Sequence, residues 1–139
     1  MLEVGKFLLW LSENEEEVVS HAESTSRYAR VRDMNVTVEG NRVYLNIIYT
    51  TGDASGQNMV TIATEKACEF IEKNSVIKPE KWYIEANMSG DKKASSQSFQ
   101  SVRGKKVVCE VIIPKELLKK RLNVTAREME KFYQVTQNG

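Results

Sequence analysis

The sequence is short of most reagents of catalysis. It has one histidine, His21, so a His-based metal site or a Ser-His-Asp triad is nearly excluded within it. Its two cysteines, Cys68 and Cys109, stand far apart with no metal-ligand spacing. They read as reduced, buried small hydrophobes, and no metal is expected. Neither sign of charge prevails: 20 Lys and Arg face 19 Asp and Glu, a formal net charge of +1, which argues against a nucleic-acid-binding stripe. No run is long or apolar enough to be a membrane segment, and no secretory leader opens the chain. Cytoplasm is the expected compartment. What is present, 41% apolar and 28% charged residues in a chain of 139, suits a soluble globular protein with its own core. Residues 1–139 are therefore read as a single domain.

Periodicity supplies the elements. Val4, Phe7, Leu8 and Leu11 recur at helical spacing. Ser12-Glu13-Asn14-Glu15 has the form of a capping box, so a second helix is expected to start there, with Val18, Val19 and Ala22 on one face. His21 falls on that helix as a rim histidine. β-branched residues rise from 28 to 38, and Glu39-Gly40-Asn41 reads as a hairpin turn. Val43, Leu45, Ile47 and Tyr49 then alternate as the inward face of a second strand. Met59, Ile62, Ala63, Ala67, Phe70 and Ile71 form the stripe of a long helix running to Asn74. Pro79 ends that connection. Residues 81–88, with Trp82, Ile84, Ala86 and Met88 on one face, predict a third strand reached by a right-handed parallel crossover. Residues 105–113 predict a fourth. Pro114 suits the start of a helix carrying Leu117, Leu118 and Leu122, and Thr125-Ala126-Arg127-Glu128 is a further capping box before a final helix. The expected fold is α+β: a ferredoxin-like, mainly antiparallel four-stranded sheet covered by helices.

Two polar stretches interrupt this pattern. Thr51-Gly52-Asp53-Ala54-Ser55-Gly56-Gln57-Asn58-Met59 joins a strand to a helix. Backbone N–H groups at a helix start lack intrahelical partners and sit at the positive end of the helix dipole, so such a turn suits a phosphate. The same residues also make an ordinary β-to-α connection, and spacing does not separate the two readings. The second stretch is a long loop at 89–104 containing Asp91-Lys92-Lys93. A lysine held by an acid can stabilise a developing oxyanion and supply a proton, while a solvated charge run has the same composition.

Taken together, these motifs resemble a known family. Asp53-Ala54-Ser55-Gly56-Gln57-Asn58, followed by Met59, is similar to the Asp-Ala-Met-Gly-Met-Asn motif of the hydroxymethylglutaryl-CoA (HMG-CoA) reductases. Thr25-Ser26-Arg27-Tyr28-Ala29-Arg30 resembles their Thr-Ser-Arg-Phe-Ala-Arg. Asp91-Lys92-Lys93 resembles their Asp-Lys-Lys, and Arg103-Gly104-Lys105-Lys106-Val107-Val108-Cys109-Glu110 their Arg-Gly-Lys-Ser-Val-Val-Cys-Glu. Order and spacing hold from about Trp10 to about Met129, which is the extent of the family's small, coenzyme-binding domain.

The resemblance implies an oxidoreductase that reduces an acyl-CoA thioester to an alcohol, mevalonate in the isoprenoid pathway, by two hydride transfers through a thiohemiacetal. It implies NADP(H) as cofactor. Asp53, Ala54, Ser55, Gly56, Gln57 and Asn58 would receive the dinucleotide, and Ser26 and Arg27 would hold the extra adenosine phosphate. Lys92 would be the catalytic lysine; Asn87, Asp91 and Lys93 would bind or support substrate. Departures fall at Ser55 and Gln57, where the family has methionines, at Ala94 for a proline, and at Glu85 for a serine, which leaves the acyl group open. The family's large domain, with its catalytic glutamate, aspartate and histidine, has no counterpart in these residues. The chain is thus expected to be a piece of a longer, homo-oligomeric reductase, inactive alone and completed by that large domain. A reading of another class remains beside it: a free-standing α+β module binding a nucleic acid or protein through Arg27, Arg30, Arg32 and exposed aromatics such as Tyr44.

Overall fold

The computed structural model describes residues 2–84 and 108–137. They fall in two compact units, Met1–Ile84 and Glu85–Gly139.

In the first unit, α1 (Leu2–Glu13) and α2 (Glu15–Glu23) follow one another with only Asn14 between them. Both the backbone N–H and the side-chain amide of Asn14 donate to the Trp10 carbonyl, at 3.0 and 2.7 Å, and so close the end of α1. The capping box expected at Ser12 is therefore not formed. Burial of the adjacent pair Trp10 and Leu11 carries α1 past Ser12, which lies inside the helix rather than ahead of one.

β1 (Arg30–Glu39) and β2 (Arg42–Thr50) form an antiparallel hairpin. Its two-residue loop, Gly40-Asn41, places Gly40 at φ +62°, the conformation a tight hairpin turn requires. Leu45, Ile47 and Tyr49 face the core as the alternation predicts. On β1 the core-facing residues are Val31 and Met34, an odd spacing that simple alternation forbids. The register shift between Val31 and Asp33 resolves this: one extra residue, Arg32, is looped out, and the bulge returns Val31 to the inner face.

α3 (Gln57–Asn74) packs against α2. The seam is made of small residues: Ala22, Ala63 and Ala67 are all 0% exposed. With Trp10, Leu11, Val18 and Ile71 they form the core, over which Phe7, Phe70 and the inner face of the hairpin close. The rings of Trp10 and Phe70 stack with centroids 6.3 Å apart, and His21 stacks on Phe70 at 4.1 Å. The His21 Nδ1–H donates to the Glu17 carbonyl, at 2.8 Å, so this histidine serves the rim of the core.

The ferredoxin-like, four-stranded sheet expected from the sequence is not found: among the described residues the sheet has two strands. Residues 81–84 are not a strand. The Trp82 indole N–H instead donates to the Glu72 carboxylate of α3, at 3.1 Å, so this segment is tied to a helix by a side chain and not to a strand by a ladder. Residues 108–113 also lack strand pairing, and Val108, Val111 and Ile112 are 77–90% exposed. β-branched residues favour extended backbone, but a strand exists only where a neighbour supplies N–H and C=O partners. The parallel crossover falls with the third strand. The remaining parts of both predicted strands, 85–88 and 105–107, lie outside the described residues.

In the second unit Pro114 precedes a short helix, α4 (Lys115–Leu117), which runs into a π-helical turn (Leu118–Leu122) ended by Asn123 at φ +53°. The predicted capping box at Thr125 is formed. Its hydroxyl accepts the Glu128 N–H at 3.3 Å, and the Glu128 carboxylate accepts the Thr125 N–H at 2.8 Å and its hydroxyl proton at 2.9 Å. α5 (Ala126–Gln137) follows. Both cysteines are free, as expected. Cys109, however, is exposed rather than buried, because the segment that carries it has no sheet to enter.

The alanine seam has a direct consequence. A leucine at position 67 meets α2 with no space to occupy, so Ala67→Leu is expected to cost about 1–3 kcal/mol. Urea unfolding measures this, and an unchanged midpoint would contradict the close approach of α2 and α3.

Candidate functional site

The site grows from the two connections at the start of β1 and the start of α3. The first is the turn leaving α2. Ser24 and Thr25 bond back to the His21 and Ala22 carbonyls, at 2.7 and 3.0 Å, which ends the helix cleanly. The Ser26 hydroxyl oxygen then accepts the Tyr28 N–H at 3.2 Å, a small side-chain-to-backbone turn whose outer corner is Arg27. Arg27 and Tyr28 are both exposed, and the Arg27 guanidinium carbon lies 4.8 Å from the Tyr28 ring centroid.

The second connection is the 51–59 turn. Gly52 and Gly56 have φ of +69° and +64°, where only glycine sits without strain. Gly56 is also hemmed in: a Cβ there would lie 2.5 Å from Cγ2 and 2.7 Å from Cβ of Thr51. Thr51 in turn donates its hydroxyl proton to the Ala54 carbonyl, so the loop is closed on itself. Gly56 is the N-cap residue of α3. Among the described residues no side chain caps the helix, and no acid stands in its first turn. The backbone N–H groups at the start of α3 therefore keep their positive field, and the carboxylate of the turn, Asp53, stands ahead of the helix and exposed. Gly52, Asp53, Ala54, Ser55, Gln57 and Asn58 are exposed and Gly56 partly so.

These two connections meet. The Ser26 hydroxyl donates to the Met59 thioether at 3.0 Å, across 33 residues of sequence, and a Cβ on Gly52 would lie 4.0 Å from the Tyr28 ring. Ser26 and Arg27 thus stand beside the uncapped start of α3. Among the described residues no carboxylate pairs with Arg27, whereas neighbouring Arg30 faces Glu23 at 3.6 Å. Glu23 also accepts the Val31 N–H at 2.8 Å, which fixes the path into β1. A free guanidinium beside open backbone N–H groups is an anion-accepting corner.

Burial shifts two titratable groups of this unit away from neutral pH. Burial, then the charges of Glu65 and Glu72, push the Cys68 thiol up to about 11, so it stays protonated. Burial also raises the Tyr49 phenol, against the opposing effect of its hydrogen bond to Thr64 at 3.1 Å.

Of the residues singled out from sequence, Ser26, Arg27, Asp53, Ala54, Ser55, Gly56, Gln57 and Asn58 belong to the first unit and share this corner. Asn87, Asp91, Lys92 and Lys93 lie outside the described residues. Three roles escaped sequence reasoning, although the residues stand in the stretches it singled out: Thr51 as the clamp on Gly56, Met59 as the partner of Ser26, and Tyr28 as the partner of Arg27. Tyr44, the aromatic expected on an outer face for contact with RNA, is only 9% exposed. No helix among the described residues is long and apolar enough to cross a membrane.

Helices on a hairpin, with an exposed arginine near a helix start, define the first unit as an α+β module. Comparison with known proteins gives the particular family. The family model described as hydroxymethylglutaryl-coenzyme A reductase matches residues 1–139, and the chain belongs to that family. Similar relatives include the 3-hydroxy-3-methylglutaryl-coenzyme A reductase of Methanocaldococcus jannaschii, 38% identical over 122 residues. That match takes in 85% of this chain and 30% of the relative. The Aeropyrum pernix protein of the same name is 32% identical over 98% of this chain and 32% of its own length. The Blattella germanica protein is 32% identical over 88% of this chain and 14% of its own length. The chain thus spans about a third or less of the relatives it matches.

The geometry of Gly56 predicts a graded result for two glycines. Gly56→Ala meets both left-handed strain and the Thr51 side chain, and should cost about 1–3 kcal/mol. Gly40→Ala has the strain without the clash, since nothing lies within 4 Å of its Cβ, and should cost less. Chemical denaturation of both variants orders them, and equal losses would remove the steric role of Thr51.

Proposed function

We propose that this chain is the NADP(H)-binding part of an HMG-CoA reductase-like oxidoreductase, acting on an acyl-CoA thioester and yielding mevalonate for isoprenoid synthesis. The observation that supports it most is the meeting of Ser26 and Arg27 with the 51–59 turn at the uncapped start of α3. The residues fit the cofactor's chemistry. Two glycines would let the backbone of the turn come close to a pyrophosphate, and the N–H groups of Gln57, Asn58 and Met59 would be its donors. Arg27 supplies a forked, permanently charged donor set suited to the phosphate that distinguishes NADPH from NADH. When bound, the reduced nicotinamide supplies the hydride.

In this reading Ser26, Arg27, Asp53, Ala54, Ser55, Gly56, Gln57 and Asn58 hold and orient the dinucleotide. Lys92 donates a proton to the carbonyl oxygen, and Asn87, Asp91 and Lys93 hold substrate or orient that lysine. The acyl-CoA is completed in its site by the rest of a longer, homo-oligomeric enzyme of the cytoplasm. Residues 1–139 alone bind cofactor without turnover, because hydride donor and thioester must be held together.

Titration of the 139-residue chain with NADPH and NADH tests the cofactor assignment. A charge-assisted contact contributes about 1.5–3 kcal/mol, so Arg27→Ala should weaken NADPH binding roughly tenfold or more and leave NADH nearly unchanged. Equal losses for the two cofactors would overturn it. Lys92→Ala should leave both affinities unchanged in this chain and abolish turnover in the complete enzyme. Full activity of that enzyme would remove the proton-donor role.

A further inference from the structure

Arg27 is exposed on a turn, and an unrestrained arginine loses much rotamer freedom on binding. The structure supplies a restraint: its guanidinium sits 4.8 Å from the Tyr28 ring centroid. Tyr28 is itself anchored twice. Its backbone N–H is held by the Ser26 hydroxyl oxygen at 3.2 Å, and its ring edge lies against Gly52, where a Cβ would stand 4.0 Å away. One residue therefore lies next to both halves of the corner.

We propose that Tyr28 is a positioning residue that sets the preference for the phosphorylated dinucleotide by holding the Arg27 guanidinium over its ring and beside the 51–59 turn. The proposal rests on the reading of the corner as an NADP(H) site. Stacking engages the face of a guanidinium and leaves its in-plane N–H donors for a phosphate, so Tyr28 and the phosphate do not compete. The ring, and not the phenol oxygen, carries the effect, because the attraction is between a cation and the negative face of the ring.

The test is a set of titrations of the 139-residue chain with NADPH and with NADH, using Tyr28→Leu, Tyr28→Phe, Arg27→Ala and the Arg27→Ala/Tyr28→Leu double variant. Tyr28→Leu should weaken NADPH binding about two- to fivefold, the size of an exposed cation–ring contact, with NADH unchanged. Tyr28→Phe should bind as the parent does. In the Arg27→Ala background, Tyr28→Leu should have no further effect, because its action passes through Arg27. Equal losses of NADPH and NADH in Tyr28→Leu would overturn the proposal, since the ring would then touch the dinucleotide or support the fold. An additive double variant would overturn it as well. If Tyr28→Leu is silent while Arg27→Ala still discriminates the cofactors, positioning by Tyr28 fails and the phosphate-reading role of Arg27 stands. If Arg27→Ala itself fails to discriminate, the cofactor reading and this proposal fall together.

Discussion

Everything in the first unit depends on how closely α2 and α3 approach. Ala22, Ala63 and Ala67, all without exposed surface, put small side chains between the two helices. The seam stabilises less through the size of its residues than by admitting the larger ones around it: Trp10, Val18, Ile71 and Phe70 close over it. It also sets geometry. The end of α2 leads into the Ser26–Tyr28 turn, and α3 begins at the 51–59 turn, so the helix pair determines whether those turns meet.

Where they do meet, the contacts are individually small. A hydroxyl-to-thioether hydrogen bond at 3.0 Å and a tyrosine edge against a glycine have little stabilising effect beside the core. Their effect is positional. They hold an arginine that, among the described residues, has no carboxylate partner, near a helix start that has no side-chain cap among them. A protein selected only for stability gains from an acid or a serine cap at the start of α3. Leaving the positive end open is what a site for an anion requires.

Much of this was legible in the sequence, for reasons that differ by element. The α3 stripe and the hairpin were plain because a buried face imposes its own period, 3.6 or 2. Even so, the Arg32 bulge broke the β1 alternation, and no local signal marks an extra residue that only pairing reveals. The two capping boxes show the limit of a four-residue motif. Thr125 to Glu128 follows the αL residue Asn123 and forms; Ser12 to Glu15 sits behind the buried pair Trp10 and Leu11 and does not. The four-stranded sheet failed because β-branched runs such as Val107-Val108 and Val111-Ile112-Ile113 declare an extended backbone but not a partner. At the site, Ser26, Arg27 and the 51–59 turn were found by motif. The contacts that join them, Ser26 to Met59 and Tyr28 to Gly52, span more than 20 residues and are products of the helix pair.

The central claim is that two turns distant in sequence form one anion-reading corner. Backbone amide spectra of the 139-residue chain, followed through a titration with NADPH, test it most directly. The account predicts that the amides of Ser26, Arg27 and Tyr28 shift together with those of Gln57, Asn58 and Met59, along a single binding curve, while those at the Gly40 hairpin stay still. Shifts confined to one turn, or strongest at the hairpin, would contradict it.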